Sequence, residues 1–493
     1  MKYILAIDQG TTGSRAIIYD KKGQKVASSY QEFPQYFPKP GWVEHEPEEI
    51  WQSVYQSIQK VLKEVPPQSI AAIGITNQRE TTVLWDRQTG KPVHRAIVWQ
   101  CRRTAERCDQ LKKKKGLLRF IKARTGLPID AYFSATKIEW ILNHVPKAKS
   151  LAKKGQLCFG TTDSWVLWKL TGGATHATDH TNASRTMLFN INTLKWDPAI
   201  LKLFKLPKAI LPKVLPSSNH FGETVALGKL PAGIPIAGIA GDQQAALFGQ
   251  TCFEAGTMKN TYGTGCFLLL NTGKKKISSQ HGLITTLACN AQGKPAYALE
   301  GSIFIAGAAI QWLRDQLSLL KVSTDSEKMA QSVKDNGGVY FVPAFVGLGA
   351  PYWDQNARGL ITGITRGTTK NHLVRAALEA MAYSTKDVLT VMRKESGLSL
   401  SELKVDGGAV GNNFLCQFQA DTLGIRVIRP KVIESTSLGA AYLAGLAIGY
   451  WKSSQEIKQF WQKDRQFIPI QSREMAQAQY AGWQKAIQKT LTA

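Results

Sequence analysis

The sequence predicts an α/β protein built from two domains with a cleft between them. Patterns typical of strands and helices alternate in the first part of the chain, and a similar order of patterns starts again near Gly256. With 493 residues, the chain is long enough for two or three domains that each bury a core. Loops from two neighbouring domains can surround a ligand, so we expect the functional site in the cleft.

The first predicted elements are three strands in a meander, at residues 3–7, 16–19 and 25–33. A helix is predicted from Pro47, because Pro suits a first helical turn and apolar residues then recur on one face. Further strands are predicted at residues 71–76, 81–85 and 93–98, and a charged helix at residues 102–115.

The second half opens like the first, with a predicted hairpin. Residues 257–262 and 266–271 flank the turn G-T-G, as two strands flank D-Q-G-T-T-G near the N-terminus. A strand at residues 296–300 then leads into a helix at about residues 303–320. The repeated order of predicted elements indicates a duplicated domain, although two unrelated hairpins with Gly and Thr in their turns would give the same pattern. We expect the boundary between residues 245 and 255.

The composition excludes several classes of protein. Hydrophobic residues make up 43% and charged residues 20%, as in ordinary globular proteins. Long apolar stretches such as residues 341–353 are shorter than the roughly 18 residues of a membrane-spanning helix and contain Pro and Gly. The N-terminal apolar run ends at Asp8, so no secretory signal is predicted. We expect a cytoplasmic protein without membrane insertion.

Seven scattered cysteines without a C-x-x-C pair indicate neither a disulfide framework nor a zinc site, so we expect buried thiols. The formal net charge of +26 raises the possibility of a nucleic-acid or anionic-membrane partner. Its densest runs, at residues 112–115 and 274–276, lack the interleaved aromatic residues that stack on bases. We therefore expect a solvated basic surface, with attraction of ATP or other anions as the alternative, and no nucleic-acid partner.

Glycine and threonine at the two hairpin tips suit phosphate binding. Gly lets the backbone approach closely, and turn amides and Thr hydroxyls donate to phosphate oxygens. The first tip adds Asp8, a carboxylate suited to Mg²⁺ through its waters, and Arg15, a cation that can neutralise transferred charge. Either tip taken alone is also explained as an ordinary turn.

A third candidate is V-D-G-G-A-V-G-N-N at residues 405–413, where a predicted strand ends in a glycine pair and a helix begins. This arrangement directs backbone N–H groups and the positive end of the helix dipole toward an anion or a nucleotide, with Asn412 in the first helical turn. The sequence contains no Walker motif and no protein-kinase H-R-D or D-F-G motif. An ATP-using enzyme with this sequence therefore requires another fold.

Two further segments carry acid–base and hydroxyl-binding groups. Asp242 follows an apolar strand at residues 235–240, where it can cap the next helix or accept the proton of an attacking hydroxyl. Arg79 and Glu80 lie between two predicted strands and offer an adjacent donor and acceptor that could bind a diol. A surface ion pair is the alternative for Arg79 and Glu80, and spacing alone leaves both possibilities open.

The combination of motifs resembles the FGGY carbohydrate kinase family. The motifs, in order, are D-Q-G-T-T, I-T-N-Q-R-E, V-W-Q-C-R-R-T, G-D-Q-Q-A-A-L-F-G-Q, Y-G-T-G-C-F and D-G-G-A-V-G-N-N. Residues 132–144 and 359–379 resemble the two FGGY signatures, so the resemblance spans nearly the whole chain. The forms Y-F-S-x-T-K and Q-R-E-T-T are typical of the branch that phosphorylates glycerol.

The resemblance implies two actin-like (ribonuclease-H-like) α/β domains with an active-site cleft between them. Residues 1–249 would form the glycerol and phosphate side, and residues 250–493 the nucleotide side. The implied reaction transfers the γ-phosphoryl group of MgATP to glycerol, giving sn-glycerol 3-phosphate in the first step of glycerol catabolism. The family also implies a homodimer or a homotetramer.

The resemblance further implies the roles of individual residues at the matching motif positions. The glycerol hydroxyls would be bound by Arg79, Glu80, Tyr132, Asp242 and Gln243. Trp99 and Phe267 would contact the carbon chain, and Asp242 would also be the general base. The nucleotide phosphates would contact Thr11, Thr12, Gly13 and Arg15. The rest of ATP would contact Thr264, Gly307, Gln311, Gly408 and Asn412. Asp8 would hold Mg²⁺ through water.

Three other functions stay open. A kinase for a longer polyol or a ketose, such as erythritol or xylulose, would need more room beside Trp99 and Phe267. In an actin-like ATPase, Asp242 would position water, but such an enzyme has no need for Arg79 and Glu80. A basic nucleic-acid binder would require a DNA affinity that falls steeply with salt.

Overall fold

The computed structural model describes residues 1–492 and divides the chain into two compact units. Unit 1 consists of residues 1–253, 285–297 and 435–461. Unit 2 consists of residues 254–284, residues 298–434 and the chain from Gln462 onward. The units therefore interleave along the chain, whereas the sequence predicted two consecutive domains.

The strands, in chain order, are β1 (Tyr3–Gln9), β2 (Gly13–Tyr19), β3 (Lys25–Glu32), β4 (Glu44–His45), β5 (Ile70–Asn77), β6 (Val83–Asp86), β7 (Ala96–Ile97), β8 (Leu157–Gly160), β9 (Ala177–Asp179), β10 (Phe189–Asn190), β11 (Lys195–Trp196), β12 (Lys213–Leu215), β13 (Ser218–Glu223), β14 (Pro235–Gly241), β15 (Met258–Tyr262), β16 (Cys266–Gly273), β17 (Ile284–Cys289), β18 (Pro295–Ile303), β19 (Tyr340–Val342), β20 (Leu360–Thr362), β21 (Glu402–Asp406), β22 (Arg426–Pro430) and β23 (Lys463–Phe467).

The α-helices are α1 (Pro47–Val61), α2 (Ala105–Lys112), α3 (Leu117–Thr125), α4 (Ser134–His144), α5 (Pro146–Lys153), α6 (Thr162–Leu170), α7 (His180–Ala183), α8 (Pro198–Leu203), α9 (Asp242–Gly249), α10 (Gly307–Asp315), α11 (Asp325–Gln331), α12 (Lys370–Ser396), α13 (Asn413–Leu423), α14 (Ser435–Ala447), α15 (Ser454–Phe460) and α16 (Arg473–Thr490). Short 3₁₀ helices span Pro67–Ser69, Lys208–Ile210 and Gly408–Gly411.

Unit 1 contains a six-stranded mixed sheet of order β13-β14-β5-β1-β2-β3. Strands β1, β2 and β3 form the predicted antiparallel meander, while β5 runs parallel to β1 and β14 runs parallel to β5. Parallel strands carry their C-terminal ends to the same edge of a sheet, where ligands commonly bind in α/β proteins. The segments that follow β1, β5 and β14 therefore lie at one edge, and they include Gly10, Arg79 and Asp242.

A seven-stranded sheet of order β17-β18-β16-β15-β21-β22-β23 contains most strands of the second half of the chain, and β19 and β20 form a separate two-stranded sheet. Strands β15 and β16 form the predicted hairpin, and β21 runs parallel to β15. The same relation holds in unit 1, where β1 and β2 form a hairpin and β5 runs parallel to β1. This recurrence is what the predicted duplication requires.

Helix α1 begins at the predicted Pro47. Glu48 and Glu49 place negative charge in its first turn and Lys60 places positive charge in its last turn, and both interact favourably with the helix dipole. Its buried face, which includes Ile50, packs against β2 and β3. The apolar periodicity of this segment thus correctly indicated which side faces the core.

Helix α14 is apolar on all sides and packs against α9 and the sheet of unit 1. Small residues let the backbones approach closely in this packing. A side chain at Gly439 would overlap the carbonyl oxygen of Ala245 in α9, and one at Gly74 in β5 would overlap that of Ala440. The close contact fixes the position of α9, whose first residue is Asp242.

Some predicted elements are shorter in the structure. The helix predicted at residues 303–320 spans only Gly307–Asp315, because β18 continues to Ile303 and the positive φ of Ser318 is incompatible with a helix. The charged helix predicted at residues 102–115 is reduced to Ala105–Lys112. The strand predicted at residues 93–98 is reduced to Ala96–Ile97, since only these two residues pair with β4.

Burial agrees with the predictions from composition. All seven cysteines are buried. Residues 112–115 are exposed, as are Lys274 and Lys275, whereas Lys276 is half-buried. Every helix among residues 1–492 is too short or too polar to cross a lipid bilayer.

Candidate active site

Arg79 and Glu80 lie in the loop that joins β5 to β6 in unit 1. Both residues are buried, with exposed fractions of 3% and 1%. A surface ion pair, which the sequence left open, is therefore wrong. Glu80 has a φ of 63°, a left-handed conformation that is uncommon for residues with a side chain and that persists only where surrounding contacts hold it.

Asp242 begins α9 directly after β14, at the predicted strand-to-helix junction. Gly241 occupies the N-cap, so Asp242 is the first residue of the helix and not its cap. Its Oδ1 lies 3.1 Å from Nε of Arg79 and accepts the backbone N–H of Gln243 at 2.7 Å. The side chain of Asp242 is 30% exposed, against 2% for Arg79. A buried Arg79 thus orients a carboxylate that remains accessible.

Gln244 contacts the same guanidinium. Its Oε1 accepts a hydrogen bond from Nη1 of Arg79 at 3.2 Å, and its Nε2 donates to the backbone oxygen of Leu287 at 3.1 Å. The amide is thereby fixed in one orientation. The sequence pointed to the neighbouring Gln243, which is buried, but the repeated Q-Q gave no means of recognising the role of Gln244.

Arg185 supports two of the predicted glycerol-binding residues. Its fully buried Nε donates to Oε1 of Glu80 at 2.5 Å. Its guanidinium carbon lies 5.5 Å from the ring centroid of Tyr132 and 5.5 Å from that of Phe133. Because two charges are costly to bury, the short hydrogen bond and the two aromatic faces are needed to offset their desolvation.

Lys137 fixes the backbone next to the same ring. It is fully buried and donates to the backbone oxygens of Tyr132 at 2.5 Å and Phe133 at 3.4 Å. Burial lowers the pKa of Lys137 to about 8, against the opposing influence of the negative charge of Glu80. The Lys of Y-F-S-x-T-K therefore holds the segment that presents Tyr132.

Trp99 connects the predicted glycerol site to the predicted phosphate turn. Its ring packs edge-on against Tyr132, with centroids 5.6 Å apart and an interplanar angle of 66°. Its indole Nε1–H donates to Oγ1 of Thr11 at 3.0 Å, and its backbone N–H donates to Oγ1 of Thr81 at 3.2 Å. The structure thus brings Trp99, Tyr132 and Thr11 together.

The first hairpin tip, at residues 9–13, is closed tightly between β1 and β2. The Oγ1 of Thr12 lies 3.1 Å from the hydroxyl of Tyr30. A side chain at Gly13 would come within 2.6 Å of the Tyr30 ring, so only glycine fits at this position. The guanidinium carbon of Arg15, in β2, lies 5.4 Å from the centroid of the same ring, so Tyr30 packs beside both the turn and Arg15.

Asp8 lies opposite Arg15 in the register of β1 and β2. Burial raises the pKa of Asp8 to about 6, the positive charge of Arg15 lowers it, and the negative charge of Asp242 raises it. Asp8 is therefore ionised at neutral pH and loses its charge near pH 6. A cation would relieve the repulsion between the two carboxylates.

In unit 2, the tip of the β15–β16 hairpin packs against the start of α10. The backbone oxygen of Thr264 accepts the N–H of Ala306 at 2.8 Å, and the N–H of Gly307 donates to the oxygen of Gly263 at 3.1 Å. A side chain at Gly307 would lie 2.6 Å from that oxygen, so the contact requires glycine. Gln311 is exposed one turn farther along α10.

A 3₁₀ turn at Gly408–Gly411 separates β21 from α13. A side chain at Gly408 would meet no atom within 4 Å, so the space beside this backbone is open. Asn412 is the N-cap of α13 and does not lie in the first turn as predicted. Its Oδ1 accepts the N–H of Leu415 at 2.9 Å and its Nδ2 donates to Oγ of Ser326 at 3.2 Å, an arrangement that short polar side chains favour at a helix start.

Phe267, predicted to contact the carbon chain of glycerol, lies in β16 of unit 2 and is half-buried. Its backbone oxygen accepts a hydrogen bond from Nζ of Lys259 at 3.2 Å. The other predicted glycerol-binding residues all lie in unit 1.

The most important residue that the sequence analysis missed is Arg185. It stands in the segment A-S-R-T-M-L, which has no clear strand or helix periodicity and no acidic residue nearby that would indicate a partner. The burial of Lys137 could have been predicted from the sequence. It lies among the apolar residues of α4, such as Ile138 and Ile141, and a lysine buried among apolar residues needs hydrogen-bond partners.

Comparison with known families and proteins gives matches along most of the chain. The N-terminal domain of the FGGY family of carbohydrate kinases matches residues 3–249, and the C-terminal domain of the same family matches residues 258–448. The chain is 59% identical to glycerol kinase 2 of Thermotoga maritima, over 100% of this chain and 99% of that protein. It is 58% identical to the glycerol kinase of Fusobacterium nucleatum, over 99% of both.

Solved structures show the same fold. The crystal structure of Plasmodium falciparum glycerol kinase with ADP superposes with a TM-score of 0.92 at 38% identity, and the match covers 100% of this chain and 99% of that one. A ligand-bound xylulose kinase from Lactobacillus acidophilus has a TM-score of 0.88 at 24% identity, covering 99% of this chain and 98% of that one. The second likeness concerns the fold alone.

Proposed function

Because the chain belongs to the FGGY family of carbohydrate kinases, we propose that it transfers the γ-phosphoryl group of ATP to a terminal hydroxyl of glycerol, giving ADP and sn-glycerol 3-phosphate. Relatives that match over the full length are glycerol kinases. The single observation in the structure that carries the mechanism is the pair of Arg79 and Asp242, in which a buried guanidinium orients an accessible carboxylate at 3.1 Å.

Glycerol offers only hydroxyl groups and a short hydrocarbon edge, so its recognition needs paired donors and acceptors together with a flat apolar surface. In unit 1, Arg79 supplies donors, Asp242 and Glu80 supply acceptors, and Trp99 with Tyr132 supplies the aromatic surface. In this proposal Gln243 binds a further hydroxyl, and Phe267 of unit 2 contacts the carbon chain. In this proposal a longer polyol would need the space that Trp99 and Phe267 occupy.

The chemical step needs one group to accept the proton of the attacking hydroxyl. As the glycerol oxygen forms its bond to the γ-phosphorus, the bond from that phosphorus to the β–γ bridging oxygen breaks and ADP leaves. Asp242 takes the proton, since its carboxylate is accessible and is already oriented by Arg79 and by the N–H of Gln243. Oriented in this way, the base needs no rearrangement before transfer.

The turn at residues 9–13 binds the phosphates of ATP in this proposal. Thr11 and Thr12 offer hydroxyl groups, and Gly13 allows the backbone to approach a phosphate closely. Arg15 supplies positive charge at the start of β2. In unit 2, Thr264, Gly307, Gln311, Gly408 and Asn412 contact the rest of ATP, where the open backbone at Gly408 leaves room for a ligand.

The residues around Asp8 fit Mg²⁺. The ion prefers oxygen ligands and commonly keeps several waters while it uses one or two carboxylates and substrate phosphates. Asp242 lies close enough to Asp8 for its charge to raise the pKa of Asp8, and no three His, Cys, Asp or Glu side chains of residues 1–492 converge on a site. Asp8 would therefore hold the ion through water, and the ion would supply charge neutralisation to the phosphates.

The functional test is phosphorylation of a panel of acceptors by the purified protein with MgATP. The panel contains glycerol, dihydroxyacetone, erythritol, xylulose and water. We expect glycerol to have the highest kcat/KM. Preference for a longer sugar would be compatible with the fold but would contradict glycerol as the substrate. ATP hydrolysis at a rate that no polyol changes would favour an actin-like ATPase instead.

We further propose a cytoplasmic location, as predicted from composition and hydropathy, and a homodimer or homotetramer, as the family resemblance implies. Light scattering of the purified protein across a range of concentrations measures the second directly, and a monomer at every concentration would contradict it.

A further inference from the structure

Two glutamine side chains donate hydrogen bonds to two backbone carbonyl groups of the turn at residues 9–13. The Nε2 of Gln78 donates to the backbone oxygen of Gly10 at 3.1 Å. The Nε2 of Gln35 donates to the backbone oxygen of Thr11 at 2.9 Å. Two consecutive carbonyls of the turn are therefore fixed by side chains from outside it.

His45 lies between these two glutamines and bridges them. Its Nε2 lies 2.7 Å from Oε1 of Gln35, and its Nδ1 lies 3.4 Å from Nε2 of Gln78. An amide oxygen only accepts and an amide NH₂ only donates, so the proton of the imidazole must be on Nε2. The bridge thus sets the orientation of both amides, each of which directs its NH₂ group at the turn.

The surroundings of His45 maintain this one tautomer. The residue is fully buried in β4, and its ring packs edge-on against Phe33 with centroids 5.0 Å apart. Burial lowers the pKa of His45 to about 4, so the ring is neutral at every pH at which the protein would work. A second proton on Nδ1 would also face the NH₂ group of Gln78, where two donors would meet.

The direction of a carbonyl determines the direction of the next amide, because the C=O and N–H of a trans peptide point to opposite sides. With the carbonyls of Gly10 and Thr11 turned toward Gln78 and Gln35, the N–H groups of Thr11 and Thr12 point to the opposite side. That is the orientation in which turn amides bind phosphate.

We propose that His45 is a positioning residue for phosphate binding, which acts through Gln35 and Gln78 to keep the amides of the turn directed at the nucleotide. The proposal rests on the proposed function, because that function makes this turn a phosphate site. His45 itself contacts neither substrate. Its effect is therefore on the affinity for phosphorylated nucleotides and not on the affinity for glycerol.

The test compares three variants by calorimetric titration with ADP and with a non-hydrolysable ATP analogue. His45→Phe fills the same space without hydrogen bonds, whereas His45→Gln retains an NH₂ donor near the position of Nε2. The matched control is His176→Phe. His176 also lies in unit 1, its Nε2 donates to the backbone oxygen of Phe159 at 2.7 Å, its Nδ1 lies 3.5 Å from Nη2 of Arg87, and its ring packs edge-on against Trp85.

We expect His45→Phe to weaken binding of both nucleotides about five- to twentyfold, consistent with the loss of one or two hydrogen bonds. His45→Gln should recover at least half of that loss on a logarithmic scale, and His176→Phe should bind nucleotide like the wild type. In steady-state assays the KM for ATP should rise in His45→Phe while the KM for glycerol changes less than about twofold, since Gln35 and Gln78 contact the backbone of the turn and not the side chains proposed to bind glycerol.

The proposal is overturned if His45→Phe binds nucleotide like the wild type, or if His45→Phe and His176→Phe lose affinity equally. If the proposed function is wrong, the wild type binds nucleotide but does not phosphorylate glycerol. In that case the titrations still test the role of His45 in nucleotide binding. A wild-type protein that binds neither nucleotide would overturn both.

Discussion

The indole Nε1–H of Trp99 donates a hydrogen bond to Oγ1 of Thr11 at 3.0 Å. Trp99 belongs to the predicted glycerol site and Thr11 to the predicted phosphate turn, so a single bond joins the two. Because the Thr11 oxygen accepts from the indole, the hydroxyl proton is directed elsewhere and can donate to a phosphate oxygen. Under the proposed function, Trp99 would serve both substrates, through its ring face and through its N–H group.

Replacing Trp99 by Phe separates these two roles, because Phe keeps an aromatic ring but has no N–H. We expect Trp99→Phe to raise the KM for ATP about three- to tenfold, which corresponds to one hydrogen bond. The KM for glycerol should change less than about twofold. Trp99→Ala, which removes the ring as well, should raise the KM for glycerol more than about tenfold. An unchanged KM for ATP in Trp99→Phe would show that the bond to Thr11 has no role in phosphate binding.

Asp8→Asn should make the folded protein more stable and the enzyme less active. The folded-state pKa of Asp8 is raised from 3.8 to about 6, so its contribution to stability is present at low pH and is lost as pH rises through about 6. Ionised Asp8 therefore destabilises the folded protein at neutral pH. Because the side chain is partly accessible to solvent, we expect Asp8→Asn to gain about 1 to 2 kcal/mol at pH 7.5. Urea unfolding at pH 4.5 and 7.5 measures this, and the difference between variant and wild type should be clearly smaller at pH 4.5, where Asp8 of the folded protein is protonated.

The same titration predicts how Mg²⁺ dependence changes with pH. Below about pH 6 the protonated Asp8 has no charge to hold the ion, so the concentration of Mg²⁺ that gives half-maximal activity should rise as pH falls from 7.5 to 5.5. In Asp8→Asn this concentration should be high at both pH values. A wild-type Mg²⁺ requirement that does not vary with pH would contradict the role assigned to Asp8.

Arg185→Met should destabilise the protein by about 3 to 5 kcal/mol, because it leaves the carboxylate of Glu80 buried without its partner. Adding Glu80→Gln removes that charge, so the double variant should recover at least half of the lost stability. Both proteins should remain inactive toward glycerol, since the acceptor site has lost its organisation. Thermal unfolding of the four proteins of this cycle gives the coupling energy, and purely additive losses would refute the pair.

Gly439→Val should be among the most destabilising substitutions in unit 1, since the new side chain would overlap the carbonyl oxygen of Ala245 and force α14 away from α9. We expect a loss of about 3 kcal/mol or more. Gly367→Ala is the control, because its side chain meets only one atom within 4 Å, and it should change stability by less than about 0.5 kcal/mol. Equal effects of the two substitutions would contradict the close packing of α14.

The fold was predictable where local patterns are strong. The meander at the N-terminus, the helix that begins at Pro47, and the hairpin after Gly256 all follow from apolar periodicity and from turn residues. The return of residues 435–461 to unit 1 was not predictable. The apolar and small residues of α14 show that the helix is buried, but no periodicity shows which sheet it packs against.

The candidate site divides in the same way. Asp242 and Arg79 were recognisable because each follows a strand at the point where α/β proteins place ligands. Arg185 contacts Glu80, 105 residues away along the chain. His45 acts through Gln35 and Gln78, which are 10 and 33 residues away. Such supporting contacts are set by tertiary packing, so one sequence without its structure does not indicate them.

The central claim, that Asp242 is the base for phosphoryl transfer to glycerol, is tested most directly by rapid-mixing measurements of a single turnover with Asp242→Asn. The variant keeps the size of the side chain and loses the charge that accepts the proton. We predict that the rate of glycerol phosphate formation falls at least about a thousandfold while ATP and glycerol bind within about tenfold of the wild-type affinity. Single-turnover transfer at the wild-type rate in Asp242→Asn would contradict the account.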